Sequence, residues 1–311
     1  MSEKKERNDG FFKRMLAEFV DYVGGRPRRV VITYLVLRVL VLLTLLHQVI
    51  LGNYYNAMLC VLTLILFMIP AFADRQLNVK LPSVLEVVIL LFAFSAEILG
   101  EIQNFYGMFH SWDTMLHTIN GFMMAAIGFA MIDVLNNNPK FHFTASPIFV
   151  AFVAFCFSMT IGVLWEFFEF SMENFLHIDM QRDFIYNTIA TTNKVINPSG
   201  ANSAVIVENV KSTISGTVGG VPKTFTYDGY LDIGIKDTMK DLMVNCRGAL
   251  VFSILGVFYI KGRSRFAEKF MPTLKTEEEL ASGDPPKAGA HKPGKSSHGK
   301  SEKAKKVKND L

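Results

Sequence analysis

Acidic side chains and one histidine recur at helical spacing near the ends of apolar runs. The groups are Glu97/Glu101, Asp113/His117, Glu166/Glu169 and Asp237/Asp241. Residues three or four positions apart share one face of an α-helix, so each group directs two polar side chains the same way. Charged side chains inside membrane-spanning segments are costly and by default mark functional sites. These residues are therefore the first candidates for chemistry.

If the four helix faces converge, they gather several carboxylates around one imidazole. Such a set of anions is stable in a low-dielectric pocket only when it is protonated or neutralised by a cation. We therefore expect a divalent metal, and the predicted ligands are His117, Asp113, Glu166 and Asp241. Mixed carboxylate and imidazole ligands favour zinc or manganese, whereas carboxylates with water favour magnesium.

The remaining polar residues of the cluster are candidates for catalysis. Glu169 or Glu97 is expected to act as general base, and Lys240 is expected to steady an anionic leaving group. The alternative is a structural network in which the carboxylates pair with Arg247, Lys240 and Asn245.

The elements that must position these residues are long apolar helices. About 20 mostly apolar residues are needed to cross a bilayer. Six stretches qualify, at Val30–Leu51, Ala57–Ala73, Ser83–Gln103, Ser111–Leu135, Ser146–Phe170 and Asp237–Ile260. The predicted fold class is an all-α polytopic membrane protein with six transmembrane helices.

Composition agrees with a membrane protein, since 50% of the 311 residues are hydrophobic and only 19% are charged. Of the 32 Lys and Arg residues, 8 lie in residues 1–29 and 13 in residues 261–311. The net charge of +4 therefore describes basic ends around an apolar middle and not a nucleic-acid binder. A soluble enzyme, a disulfide scaffold and a disordered protein are excluded.

The basic residues of the short loops predict the orientation, because they concentrate on the cytoplasmic side. Arg75, Lys80 and Lys140 fall on the same side as the basic head, whereas residues 51–56 and 105–110 contain no Lys or Arg. Both termini are therefore predicted to be cytoplasmic. The acidic residues then lie near the outer face.

The chain divides into five predicted segments. They are a basic cytoplasmic head with an amphipathic helix (1–29), the first five helices (30–176), an extracytoplasmic loop or cap (177–235), the sixth helix (236–260) and a Lys-rich, disordered cytoplasmic tail (261–311). The head helix is expected over Gly10–Val23.

The segment between helices 5 and 6 is expected to form a small β-rich insertion. Ala204–Val207, Thr224–Tyr227 and Tyr230–Ile233 are β-prone, and Gly219-Gly220-Val221-Pro222 and Asp228-Gly229 are turn signals. The alternative is an unstructured insertion.

Three short blocks resemble the YjdF-like family of bacterial inner-membrane proteins. They are Trp112-Asp113-Thr114-Met115-Leu116-His117, Glu166-Phe167-Phe168-Glu169 and Asp237-Thr238-Met239-Lys240-Asp241-Leu242. The resemblance implies a multi-pass protein of the bacterial cytoplasmic membrane and does not imply an activity. The sequence departs from the family in residues 177–235, where members have a short, Gly-rich link.

The leading functional hypothesis is a metal-dependent hydrolase or transferase that acts on a lipid or lipid-linked substrate at the outer leaflet. A helical cation or proton transporter is the first alternative, because intramembrane acids also serve as ion sites. A membrane scaffold with a partner-binding extracytoplasmic cap is the second. The expected partners are the lipid bilayer and that substrate, with no nucleic acid.

Overall fold

The protein is described by a computed structural model over residues 25–76, 79–137, 145–198, 203–262 and 269–275. The chain divides into two units, and every contact discussed below lies within one of them, Ile32–Thr276. The described residues of the other unit, 25–31, include the first turn of the first helix. The expected head helix over 10–23, Lys140 and the tail from residue 276 lie outside the described residues.

Six helices in the described ranges are long and apolar enough to cross a membrane. They span Arg28–Ile50, Tyr54–Arg75, Ser83–Ile102, Trp112–Ile132, Pro147–Phe175 and Ile235–Ile260. The six predicted spans are therefore confirmed by length and composition, to within a few residues at each end. Backbone polar groups find their partners inside such helices, which is what hydrocarbon requires.

The helical elements are numbered here in chain order. They are α1 (Arg28–Ile50), α2 (Tyr54–Leu66), α3 (Ile69–Gln76), α4 (Ser83–Phe94), a π-helical segment (Ser95–Ile102), α5 (Phe105–Met108), α6 (Trp112–Asn137), α7 (Pro147–Leu176) and α8 (Ile235–Ile260). α2 and α3 together form the second span, and α4 with the π-helical segment forms the third.

Local signals in the sequence place the ends of α7, the longest helix. The Ser146 side chain accepts a hydrogen bond from the N–H of Phe149 at 3.3 Å, and Pro147 occupies the first helical position. Both features favour a helix start. The helix ends at His177, whose left-handed backbone (φ 54°) stops its continuation.

Short antiparallel strand pairs accompany the helices. β1 (Val79–Lys80) pairs with β8 (Thr273–Leu274), β2 (Asp183–Tyr186) with β7 (Tyr230–Ile233), β3 (Ile189–Thr191) with β4 (Val205–Val207), and β5 (Ser212–Val218) with β6 (Val221–Tyr227). Strands β2 to β7 all lie between α7 and α8, in the segment expected to be β-rich.

The turn between β5 and β6 is shorter than expected. Only Gly219 and Gly220 form it, both with positive φ, as a two-residue hairpin turn requires. Val221 and Pro222 belong to β6, because Val221 pairs with Val218 across the turn.

Part of the segment expected to be a disordered tail returns to the helices. Within residues 269–275, Met271 is 2% exposed and packs into the apolar core with Phe270 beside it. Lys275 Nζ lies 2.7 Å from Asp74 Oδ2. Burial of the two apolar side chains holds the segment against the apolar core, and the ion pair joins it to the end of the second span.

The apolar core occupies the half of the bundle where α6 and α8 end and α7 begins. Its central members include Met123, Phe129, Val150, Ala154 and Phe252. Asp113 of α6, Glu166 and Glu169 of α7, and Asp237 and Asp241 of α8 lie at the opposite half, which we call the acidic end. The core thus holds the three helices together while the acidic end carries the polar groups.

Glycines allow α6 and α8 to approach very closely between these two halves. A Cβ added to Gly121 would overlap the carbonyl oxygen of Asn245, and one added to Gly248 would overlap the carbonyl oxygen of Thr118. Small residues serve the same purpose at many membrane helix interfaces. This contact fixes the register in which the acidic residues of α6 and α8 face each other.

Replacement of Gly248 by Ala is therefore expected to destabilise the protein. The added methyl group overlaps backbone that cannot move independently of its helix, and overpacking of this kind costs about 1–3 kcal/mol. Thermal unfolding in detergent measures the effect as a lowered midpoint. Gly216→Ala is the matched control, because nothing lies within 4 Å of its added Cβ. Equal unfolding midpoints for the two variants would contradict the close helix contact.

Candidate metal centre

The first turns of α6 carry the aspartate and histidine of the site. Asp113 and His117 lie four residues apart, and His117 Nε2 is 3.3 Å from Asp113 Oδ1. Both residues are buried. Asp113 lies in the first turn of α6, where the positive end of the helix dipole favours a carboxylate.

The first turns of α8 bring two further aspartates and a lysine to the same place. Asp237 is 3% exposed and Asp241 is 1% exposed. One ligand atom each from Asp113, His117 and Asp241 lies within 4.8 Å of the other two. We call these three residues the triad. At these distances between ligand atoms, small movements of the three side chains would let all three bind one metal ion.

The last turns of α7 supply the glutamates. Glu166 is 4% exposed, and its Oε1 lies 3.8 Å from His117 Nδ1. The imidazole of His117 thus faces Asp113 with Nε2 and Glu166 with Nδ1. Glu169 is also buried, and its Oε1 accepts a hydrogen bond from Trp165 Nε1 at 2.8 Å.

Lys240 points into the centre of the aspartates. Its Nζ lies 3.5 Å from Asp237 Oδ1, 3.5 Å from Asp241 Oδ1 and 3.7 Å from Asp113 Oδ2. Each of these three oxygens is buried without a hydrogen-bond partner among the described residues. The lysine therefore faces three carboxylates at nearly equal distances.

Neutral polar groups close the site toward the apolar core. Asn120 Nδ2 donates to Asn245 Oδ1 at 3.1 Å, and Ser158 Oγ donates to the carbonyl oxygen of Gly121 at 2.7 Å. Asn245 Nδ2 in turn lies 3.4 Å from the carbonyl oxygen of Ser158. These contacts join α6, α7 and α8 directly below Asp241.

The segment after α7 covers the site from the side of the strands. The backbone N–H of Arg182 donates to Asp237 Oδ2 at 3.0 Å, and the Gln181 side chain donates to Thr238 Oγ1. Asp237 therefore has one oxygen toward Lys240 and the other toward this segment.

Tyr106 connects the π-helical segment to the site. The Arg182 guanidinium lies over its ring, and the distance from the guanidinium carbon to the ring centre is 5.6 Å. Burial raises the pKa of the Tyr106 phenol above its usual value, and four surrounding carboxylates raise it further. Those carboxylates belong to Asp113, Glu101, Glu97 and Glu169. The Tyr106 ring thus lies between Gly100 of the π-helical segment and Arg182 of the segment after α7.

The charges of the contacting groups do not balance. In the described part of the chain, the four carboxylates of Asp113, Glu166, Asp237 and Asp241 face at most three cationic groups, which are Lys240, the imidazole of His117 and the nearby Arg182 guanidinium. Buried carboxylates in excess of their cations require an added cation or protons. A divalent metal meets this requirement, and an imidazole among carboxylates favours zinc or manganese over magnesium.

A family of membrane proteins matches most of this chain. The family described as predicted membrane protein (DUF2238) matches residues 32–262. The chain belongs to this family. No curated protein and no solved structure matches it.

The match contains all six spans from Ile32 onward and every residue of the site. The three blocks noted in the sequence, residues 112–117, 166–169 and 237–242, all fall inside it. In this DUF2238 protein they come from α6, α7 and α8 and meet at the acidic end.

Of the seven residues proposed from the sequence, five lie in one contacting cluster. They are Asp113, His117, Glu166, Lys240 and Asp241. Glu169 lies one turn from Glu166 on α7 and accepts a hydrogen bond from Trp165. Glu97 is half-buried in the π-helical segment, outside this contacting cluster.

The proposed pairing of the carboxylates with Arg247 is not observed, because Arg247 lies on the exposed side of α8. Asp237 was a candidate from the sequence but was assigned no role, whereas Arg182 and Tyr106 were not identified as parts of the site. Asp237 belongs to the recognised Asp237/Asp241 pair, so its spacing was a usable signal. Arg182 and Tyr106 lie outside the spans and follow no such spacing.

Proposed function

We propose that this protein is a membrane-embedded, metal-dependent hydrolase or transferase acting on a lipid or lipid-linked substrate. The observation that carries the proposal is the triad, whose ligand atoms lie within 4.8 Å of one another at the ends of two spans. Its three residues are all buried. A buried His and two carboxylates from two rigid helices are a common basis for metal sites in helical bundles.

The residues that would hold the metal are Asp113, His117 and Asp241, with Glu166 next to His117. The buried carboxylate oxygens that lack hydrogen-bond donors fit a cation. A bound zinc or manganese ion supplies a Lewis acid and lowers the pKa of its water ligand toward neutrality.

The hydrogen bond of Glu169 supports a role for this residue in proton transfer. Glu169 Oε1 is held by Trp165 Nε1, which leaves its other oxygen for a proton acceptor role. Glu97 of the π-helical segment is the second candidate for this role. Lys240 supplies the positive charge that would face an anionic leaving group.

The depth of the site supports a lipid-linked substrate. The residues lie in the terminal turns of α6, α7 and α8, where a head group enters from the membrane surface. We infer from the basic residues of the short loops that this surface is the extracytoplasmic one, and from the resemblance to the YjdF-like family that the membrane is a bacterial cytoplasmic membrane.

Labelling with a membrane-impermeant maleimide is expected to verify this orientation. In a variant without Cys60, Cys156 and Cys246, a cysteine at Gly216 in β5 should react in intact cells. A cysteine at Lys261, just after α8, should react only after permeabilisation. The opposite pattern would place the site at the cytoplasmic face.

Loss of a triad residue is expected to abolish tight metal binding. The purified protein, stripped with a chelator and titrated with Zn²⁺ or Mn²⁺, should bind one ion. His117→Ala and Asp241→Asn should each weaken binding by at least about 100-fold, since loss of an outer-shell partner alone costs 10–100-fold. Calorimetry measures the affinities.

His47→Ala is the control for this titration, because His47 is an exposed histidine at the end of α1. It should bind the ion as the wild type does. The same proteins in vesicles of total bacterial lipid test the reaction, with mass spectrometry of the lipids before and after incubation. Wild-type protein without stoichiometric metal, or equal affinity in His117→Ala, would refute the proposed metal centre.

A further inference from the structure

Lys240 occupies an unusual position for a lysine next to carboxylates. Its Nζ lies between 3.5 and 3.7 Å from one oxygen each of Asp113, Asp237 and Asp241. Hydrogen bonds between an ammonium group and a carboxylate are normally about 2.7–2.9 Å long. The ammonium is therefore shared among three carboxylates and is bonded tightly to none of them.

The three oxygens around the ammonium have no other donor. Asp113 Oδ2, Asp237 Oδ1 and Asp241 Oδ1 are buried and lack a hydrogen-bond partner in the described part of the chain. Three acceptors that face one point and hold a cation loosely have the properties of a cation pocket. In this structure, the cation in the pocket is the ammonium group of Lys240.

The pocket overlaps the triad through two aspartates. Asp113 directs Oδ1 toward His117 and Oδ2 toward Lys240. Asp241 belongs to the triad and also contacts Lys240 through Oδ1. A divalent ion on the triad and an ammonium in the pocket would compete for the same two carboxylates and repel each other at short range.

The lysine is also able to leave. Its side chain is 25% exposed, whereas those of Asp237 and Asp241 are 4% and 1% exposed. A lysine ammonium is a compact, strongly hydrated charge on a flexible four-carbon chain. Rotation of the side chain can therefore move the ammonium out of the pocket without any shift of α8.

We infer that Lys240 is a built-in competitor of the metal ion. It neutralises the aspartates when no metal is bound, and it moves out of the pocket when a divalent cation binds the triad. The displaced ammonium then lies at the open side of the site, where an anionic head group would enter. This inference rests on the proposed metal centre and names the device that regulates its occupancy.

Metal titration of three variants tests the competition. Lys240→Met removes the charge and keeps an unbranched side chain, and it should raise the affinity for Zn²⁺ or Mn²⁺ by at least about tenfold because one like-charge repulsion is lost. Lys240→Arg keeps the charge and should not raise the affinity. Lys236→Met is the matched control, because Lys236 lies one turn earlier on α8 with its Nζ over the rings of Phe184 and Tyr186.

The wild-type protein provides a second measurement that does not depend on the folding of a variant. Acylation of lysines by an amine-reactive ester, read by mass spectrometry, should modify Lys240 faster when Zn²⁺ is present than when it is absent. The rate at Lys236 should not change.

The outcomes separate this inference from the proposed function. If the wild type binds one ion but Lys240→Met has the same or a lower affinity, the competitor role is wrong and the metal centre stands. Unchanged acylation of Lys240 on metal binding leads to the same conclusion. If the wild type binds no ion, the metal centre itself is wrong.

Discussion

Burial of several carboxylates at one depth of a helical bundle is the constraint on which the rest of the structure depends. In a low-dielectric environment these groups repel one another, and each isolated charge is expensive. The protein meets this cost with Lys240, His117 and the backbone N–H of Arg182. These contacts do not neutralise all of the carboxylates. The remaining negative charge makes the cluster a candidate site for a metal ion.

The same constraint explains why α6, α7 and α8 form the closely packed part of the molecule. A cluster drawn from three helices keeps its geometry only if the helices cannot slide. Gly121 and Gly248 permit backbone contact between α6 and α8, and Asn245 bridges to both neighbouring helices just below Asp241. Apolar side chains continue this packing to the opposite end. The positions of Asp113 and His117 relative to Asp241 thus follow from a rigid interface.

The spans and the polar pairs could be predicted because both depend on short-range patterns. A run of about 20 apolar residues specifies a membrane helix, and four-residue spacing specifies that Asp113 and His117 share a face. The contacts of Arg182 and Tyr106 depend on how distant segments meet, which no local pattern encodes. The change from α- to π-helix at Ser95–Ile102, where Glu97 and Glu101 lie, has no signal in the apolar run. The return of residues 269–275 to the core likewise depends on long-range packing of Phe270 and Met271.

X-ray absorption spectroscopy of the zinc-loaded protein tests the central claim most directly, because it reports the atoms bound to the metal. A zinc ion held by Asp113, His117 and Asp241 has one imidazole nitrogen and carboxylate oxygens at about 2.0–2.2 Å. The imidazole signal should disappear in His117→Ala and persist in His47→Ala. A spectrum of oxygen ligands alone, unchanged by His117→Ala, would contradict a metal centre built on Asp113, His117 and Asp241.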